Sequence, residues 1–177
     1  WGLVEDVAGS GLFVLPGASY DDGARIGGQN LRAIINSLSP SFDYIFIDCP
    51  PSLGLLTINA WVASDSIIIP LQSEYYALEG VSQLMNTIAM VRQRLNPRLQ
   101  IEGVVITMYD GRALIAKQIT AEIKKFFKNK LYEIIIPRNV RLAEAPSHGV
   151  PILLHDPKCV GARAYRALTE EFLSHQI

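Results

Sequence analysis

The stretch Phe42-Asp43-Tyr44-Ile45-Phe46-Ile47-Asp48-Cys49-Pro50-Pro51-Ser52 decides how this chain is read. An apolar and aromatic run ends in one aspartate, and two prolines follow. Proline fixes φ and has no N–H, so neither a strand nor a helix continues through the pair. A carboxylate at the C-terminal end of a buried strand is where open α/β sheets place ligand chemistry. It is also where a nucleotide site needs an acid to hold hydrated Mg²⁺. The plain alternative is an aspartate that caps a turn.

Working outward, short apolar runs alternate with helical spacing. Leu12–Leu15 reads as a strand stopped by Pro16-Gly17. Asn30–Leu38 reads as a short helix with Leu31, Ile34, Ile35 and Leu38 on one face. After the Asp43–Ile47 strand come a helix over Leu55–Ala63, a buried strand over Ser66–Leu71 and a long helix. In that helix Leu78, Val81, Leu84, Met85, Ile88, Val91 and Leu95 recur at three- and four-residue spacing, and Asn96-Pro97 stops it.

Ile101–Met108 is predicted as a strand and Leu114–Phe127 as a helix, with Leu114, Ile115, Ile119, Ile123, Phe126 and Phe127 facing in. Strands are expected at Leu131–Ile136 and Pro151–Leu154, a helical turn at Arg141–Ala145 and a last helix at Ala162–Leu173. Strands written as continuous apolar runs between helices predict an α/β fold, a mostly parallel twisted sheet with helices on both faces. No repeat and no internal domain boundary is visible, so residues 1–177 are read as belonging to one domain.

The composition sets bounds. The 177 residues are 49% hydrophobic and 19% charged, which describes a globular chain. No apolar run approaches the roughly 20 residues that span a bilayer. The chain opens on Trp1 and not on methionine, which points to processing or to a fragment of a longer protein. Cys49 and Cys159 stand alone, with neither disulfide nor metal spacing, and fit a reducing compartment.

Charge is uneven. Residues 1–91 carry only Arg25 and Arg32 against nine acids, whereas residues 92–166 carry fourteen basic side chains against six acids. A basic face for an anionic partner and an ordinary solvated surface are both consistent with that.

Three segments together carry a resemblance: DYIFIDCPPSLGLLTIN over 43–59, PLQSEYYALEG over 70–80, and IPRNVRLAEAPSHGVP over 136–151, followed by His155-Asp156-Pro157-Lys158. In this order and spacing they resemble the ParA/Soj partition ATPases, deviant Walker-A members of the P-loop NTPase fold related to MinD and nitrogenase iron protein. The resemblance implies ATP and Mg²⁺ as cofactors. Asp48 takes the Walker-B role, holding Mg²⁺ through water. Cys49, Pro50, Pro51 and Ser52 form the switch II loop that responds to the γ-phosphate. Met108, Pro137, Arg138 and Asn139 frame the adenine, and Glu74 and Tyr75 lie near the interface of an ATP-dependent homodimer.

Lys128 and Lys158 match positions used for sequence-independent DNA binding. A helix-end charge on Lys128, with its neighbours Lys124, Lys125 and Lys130, is the plainer reading. A ParB-like centromere-binding partner, no membrane and a cytoplasmic, nucleoid-associated location complete the expectation.

The family's KGGxGKT phosphate loop is not among these residues. Gly27-Gly28 lacks the lysine and hydroxyl that such a loop needs. The expectation is therefore the C-terminal two-thirds of a family protein, inactive in ATP hydrolysis by itself and with exposed strand edges prone to pair with other chains.

Two other readings stand beside partition. A MinD-like positioning ATPase predicts a basic amphipathic C-terminal helix, whereas Thr169–Ile177 is acidic. A non-enzymatic DNA- or partner-binding fragment predicts binding that ignores ATP. Ser52 lacks a His–Asp arrangement for nucleophilic hydrolysis, and His148 has no partner in sequence that makes it catalytic.

Overall fold

A computed structural model of the chain describes residues 5–6, 12–15, 28–50, 52–74 and 77–176. It divides into two compact units, residues 1–67 with 83–100 and residues 68–82 with 101–177.

In the first unit, β1 (Glu5–Asp6) pairs antiparallel with β2 (Leu12–Leu15). β2 runs parallel to β3 (Tyr44–Ile47), with Leu12 opposite Tyr44 and Leu15 opposite Ile47. Parallel neighbours need a crossover, because no tight turn can join them. The stretch between these two contains α1 (Gly28–Leu38) and a 3₁₀ turn over Ser39–Ser41.

After β3 comes α2 (Leu55–Ala63), whose Thr57, Ala60, Trp61 and Ala63 are buried, and α1 packs on it. Unpaired carbonyls at a helix end need donors, and side chains supply them here. Arg32 of α1 donates to the carbonyls of Val62 and Ser64, both at 3.0 Å. Buried Asn96 donates to those of Trp61 and Ser64 at 2.9 and 2.8 Å. β4 (Ser66–Gln72) and α3 (Ala77–Arg94) follow in the chain. The end of α3 puts Ile88 and Val91 in the core, with fully buried Leu99 beyond it.

In the second unit β4 pairs with β5 (Gln100–Thr107), whose Val104 and Ile106 are fully buried. α4 (Leu114–Phe127) turns Ala116, Ile119, Ile123 and Phe127 inward. Leu114, Ile115 and Phe126, expected inside, are exposed. At 3.6 residues per turn, the buried four define a stripe that leaves Ile115 and Phe126 on its flank and Leu114 on the opposite face.

Two expected strands are absent. Leu131–Ile136 makes only isolated parallel bridges, Val104 with Leu131 and, just beyond, Tyr109 with Pro137. Its ladder starts correctly, with Tyr132 N–H on the Val104 carbonyl and Ile136 N–H on that of Ile106, both at 2.9 Å. Between them the Glu171 carboxylate accepts the N–H groups of Glu133 and Ile134 at 2.7 and 3.0 Å. A side chain has replaced the neighbouring strand as acceptor, so the ladder breaks.

The other expected strand is helical. α5 (Val140–Glu144) runs into a 3₁₀ turn over Ala145–His148 and left-handed Gly149, and α6 (Ile152–His155) then takes the run assigned to a strand. Pro151 sits before its first residue, where its missing N–H costs nothing. α7 (Val160–Ser174) closes the unit. Val105, Tyr132 and Ile136 form a core cluster against Ile68, Leu142, Leu168 and Phe172. A side chain at Gly103 would collide with the Tyr132 ring, and one at Gly161 with Leu142 at 2.6 Å. Both glycines are fixed by close packing.

Candidate functional site

β3 delivers Asp48 at its C-terminal end, where the residue is exposed. Among the described residues no group pairs with its carboxylate. Such a group suits a hard, hydrated cation, which prefers one or two carboxylates plus phosphate oxygens to an all-protein cage. No cluster of three or more His, Cys, Asp or Glu able to hold a metal occurs among the described residues.

Cys49 is half-buried, and its thiol donates to the Ile47 carbonyl at 3.7 Å. Burial, and after it the adjacent Asp48 charge, push the thiol above its ordinary pKa. It is a neutral packing group at pH 7, not a nucleophile. Pro50 is half-buried and Ser52 exposed, while Pro51 lies outside the described residues.

The loop is fastened by a residue given no role in the sequence reading. Thr57, in the first turn of α2 and 4% exposed, donates its hydroxyl to the Ser52 carbonyl at 2.7 Å, with the Pro50 carbonyl at 3.5 Å. The one signal for it is a hydroxyl in the run Leu55–Ala63, where Asn59 is the other polar side chain.

The second unit assembles the other expected group. Tyr109, just past β5, donates its N–H to the Ile136 carbonyl at 3.1 Å and accepts from Arg138 N–H at 3.0 Å. This brings Met108 and the turn Pro137-Arg138-Asn139 to one edge. Met108 is exposed and has a φ of 51°, the left-handed region that non-glycine residues seldom enter. Asn139 caps α5, its Oδ1 accepting from Arg141 N–H at 2.8 Å.

Arg138 reaches Glu74 at 3.7 Å, so residues assigned to adenine and to the dimer interface are neighbours. Tyr75 lies outside the described residues. Asp110, which the sequence reading passed over, takes both the backbone N–H and the guanidinium of Arg112. Hydrogen bonds from Arg112, with a smaller contribution from the Arg138 charge, hold its carboxyl down at about 2.

Lys128 caps α4 with a φ of 49° and is exposed, next to Lys124 and Lys125 in the last helical turn. Lys158 is exposed in the turn before α7, where its N–H meets Asp156 Oδ1 at 3.3 Å. His148 stacks on His155 at 4.7 Å, and His155 Nε2 lies 3.8 Å from Glu144. Arg141 bonds the same carboxylate at 2.9 Å and, ahead of the smaller effect of His155, holds it below its usual pKa. Among the described residues no helix is long and apolar enough to cross a membrane.

The AAA domain family matches residues 23–101. The sporulation initiation inhibitor protein Soj of Bacillus subtilis is 56% identical over 141 residues, which are 80% of this chain and 56% of that protein. The chromosome partitioning protein ParA of Myxococcus xanthus is 55% identical over 143 residues, 81% of this chain and 50% of its own length. The chain thus spans about half the length of the curated relatives it matches.

Among solved structures, cobyrinic acid a,c-diamide synthase from Mycobacterium smegmatis with bound ADP and magnesium is similar at TM-score 0.69 and 32% identity. That match covers 84% of this chain and 54% of the synthase. The cell division ATPase MinD of Pyrococcus furiosus is similar at TM-score 0.63 and 25% identity, over 83% of this chain and 58% of MinD.

Proposed function

The chain belongs to the ParA/Soj family of chromosome-partitioning proteins, and from that premise we propose that it works in a DNA-partitioning ATPase. Asp48 is the metal-side acid of the site, taking Mg²⁺ through water. The bound nucleotide supplies the phosphoanhydride that is broken and the γ-phosphate that the loop senses. Cys49–Ser52 is the responding loop. Met108, Pro137, Arg138 and Asn139 offer an edge for the base, largely through backbone groups.

Glu74 and Tyr75 belong to the surface that meets a second copy when ATP is bound. Lys128 and Lys158 contact DNA phosphates without reading sequence. A ParB-like partner triggers hydrolysis, and the setting is the cytoplasm at the nucleoid. The KGGxGKT run is not among the 177 residues, and hydrolysis is proposed of a protein that also carries it.

The observation that carries this reading is the exposed Asp48, unpaired among the described residues, at the end of a strand parallel to its neighbour and followed by a proline-stiffened loop. The test is Mg²⁺-dependent ATP hydrolysis by the full-length protein with non-specific DNA present, for wild type and Asp48→Ala. Orienting groups around bound metals cost about 10- to 100-fold when removed, so loss of the metal-side acid is expected to cost at least about 100-fold. Hydrolysis by Asp48→Ala within threefold of wild type overturns the reading.

A further inference from the structure

We infer that Thr57 is a positioning residue, whose hydroxyl latches the loop after the Asp48 strand onto the first turn of α2 and couples loop movement to that helix. Its consequence for hydrolysis rests on the function proposed above, while the latch itself does not.

The argument begins with missing donors. Pro50 and Pro51 have no N–H, so the loop cannot tie itself down with backbone donors at those positions. Its carbonyls instead converge on one side chain, with Ser52 O at 2.7 Å and Pro50 O at 3.5 Å from Thr57 Oγ1. A threonine within a helix commonly returns its hydroxyl to the carbonyl three or four residues back. Thr57 reaches five and seven residues back, out of the helix and onto the loop.

A hydroxyl carries one proton. It serves Ser52 in this structure, and Pro50 is the acceptor it can turn to when the loop shifts. That gives two discrete arrangements, the kind of element on which a switch is built. Thr57 is 4% exposed, so water does not readily replace the bond. The far end of α2 is anchored by Arg32 and Asn96, so a pull on its first turn meets a fixed rod.

The test uses the natural full-length protein as wild type, Thr57→Val and Thr57→Ser. Valine keeps the shape without the hydroxyl, and serine keeps the hydroxyl. Backbone hydrogen exchange is measured without nucleotide over residues 52–58, with residues 100–107 as a folding control. Loss of one buried hydrogen bond predicts exchange roughly tenfold faster at 52–58 in Thr57→Val, unchanged exchange at 100–107, and near wild-type exchange in Thr57→Ser. Steady-state ATP hydrolysis then predicts a fall in kcat for Thr57→Val with little change in nucleotide affinity, rescued by serine.

Equal exchange at 52–58 in wild type and Thr57→Val overturns the latch. Faster exchange with kcat unchanged overturns the coupling. Wild type that hydrolyses no ATP overturns the functional reading, and the exchange measurement still decides the latch. Should Thr57→Val lose protection at 100–107 as well, Thr57→Cys, similar in size with a weak donor, takes its place under the same criteria.

Discussion

The loops that follow β3 and β5 both leave the C-terminal end of a strand, and they are held in opposite ways. Among the described residues the first, Asp48 to Gly54, is fastened to its helix by one buried hydroxyl, and two of its residues have no N–H to offer. The second is laced from several sides. Tyr109 bonds on both flanks of Pro137 and Asp110 gathers Arg112, while the 137–139 turn that Tyr109 meets is itself held by Arg138 on Glu74 and by Asn139 capping α5. A segment held at one point changes state for about the cost of one hydrogen bond. A segment held by several separate hydrogen bonds and a packed core moves only as a body.

That contrast can be broken from the rigid side. The largest effect is expected at Gly103, where an added methyl meets the Tyr132 ring beneath the 131–137 segment. Gly103→Ala should lower unfolding free energy by about 1–3 kcal/mol, the usual range for overpacking, as read from urea denaturation. Wild-type stability in that variant would mean that the Tyr132 ring has room to move and that the region is less rigid than described.

A smaller loss is expected from Glu171→Gln. The amide can accept at its oxygen but turns donor protons toward the second N–H, so one of Glu133 and Ile134 loses its partner. About 1–2 kcal/mol should follow, with faster hydrogen exchange confined to residues 131–137. Exchange that does not change there would show that the carboxylate is incidental to the broken ladder.

The smallest effect sharpens the comparison through pH. Arg112 holds Asp110 down at about 2 in the folded chain, below the ordinary carboxylate value of about 3.9. Its contribution is therefore complete above that ordinary value and fades as pH falls toward 2. NMR titration should place the Asp110 midpoint near 2 in wild type and return it toward the ordinary range in Arg112→Ala. An ordinary midpoint in wild type would remove one lace from the second loop.

These particulars also show what the sequence could and could not disclose. The bounds of β2, α2 and α4 agree residue for residue with the sequence reading, because apolar period and flanking breakers are local signals. The place of Asp48 at the end of β3 was legible for the same reason, as an acid set between an apolar run and two prolines. Leu131–Ile136 was misread because its ladder is interrupted by Glu171, which lies 37 and 38 residues from its two donors. Pro151–Leu154 was misread because a short apolar run fits helix and strand equally by periodicity. The Thr57 latch and the Glu74–Arg138 pair were invisible for a third reason. Each depends on where a side chain points, and a polar residue's type does not declare that.

Met108 carries a consequence for how this sequence can drift. Its backbone sits at a φ of 51°, a region where glycine is at ease and a side chain costs about 1–2 kcal/mol. Mutation toward glycine therefore runs downhill for the backbone alone. In the role proposed for it, the same change strips the thioether from the edge offered to the base. The backbone favours glycine at this position and the proposed contact with the base favours methionine, so Met108→Gly should relieve the first and remove the second.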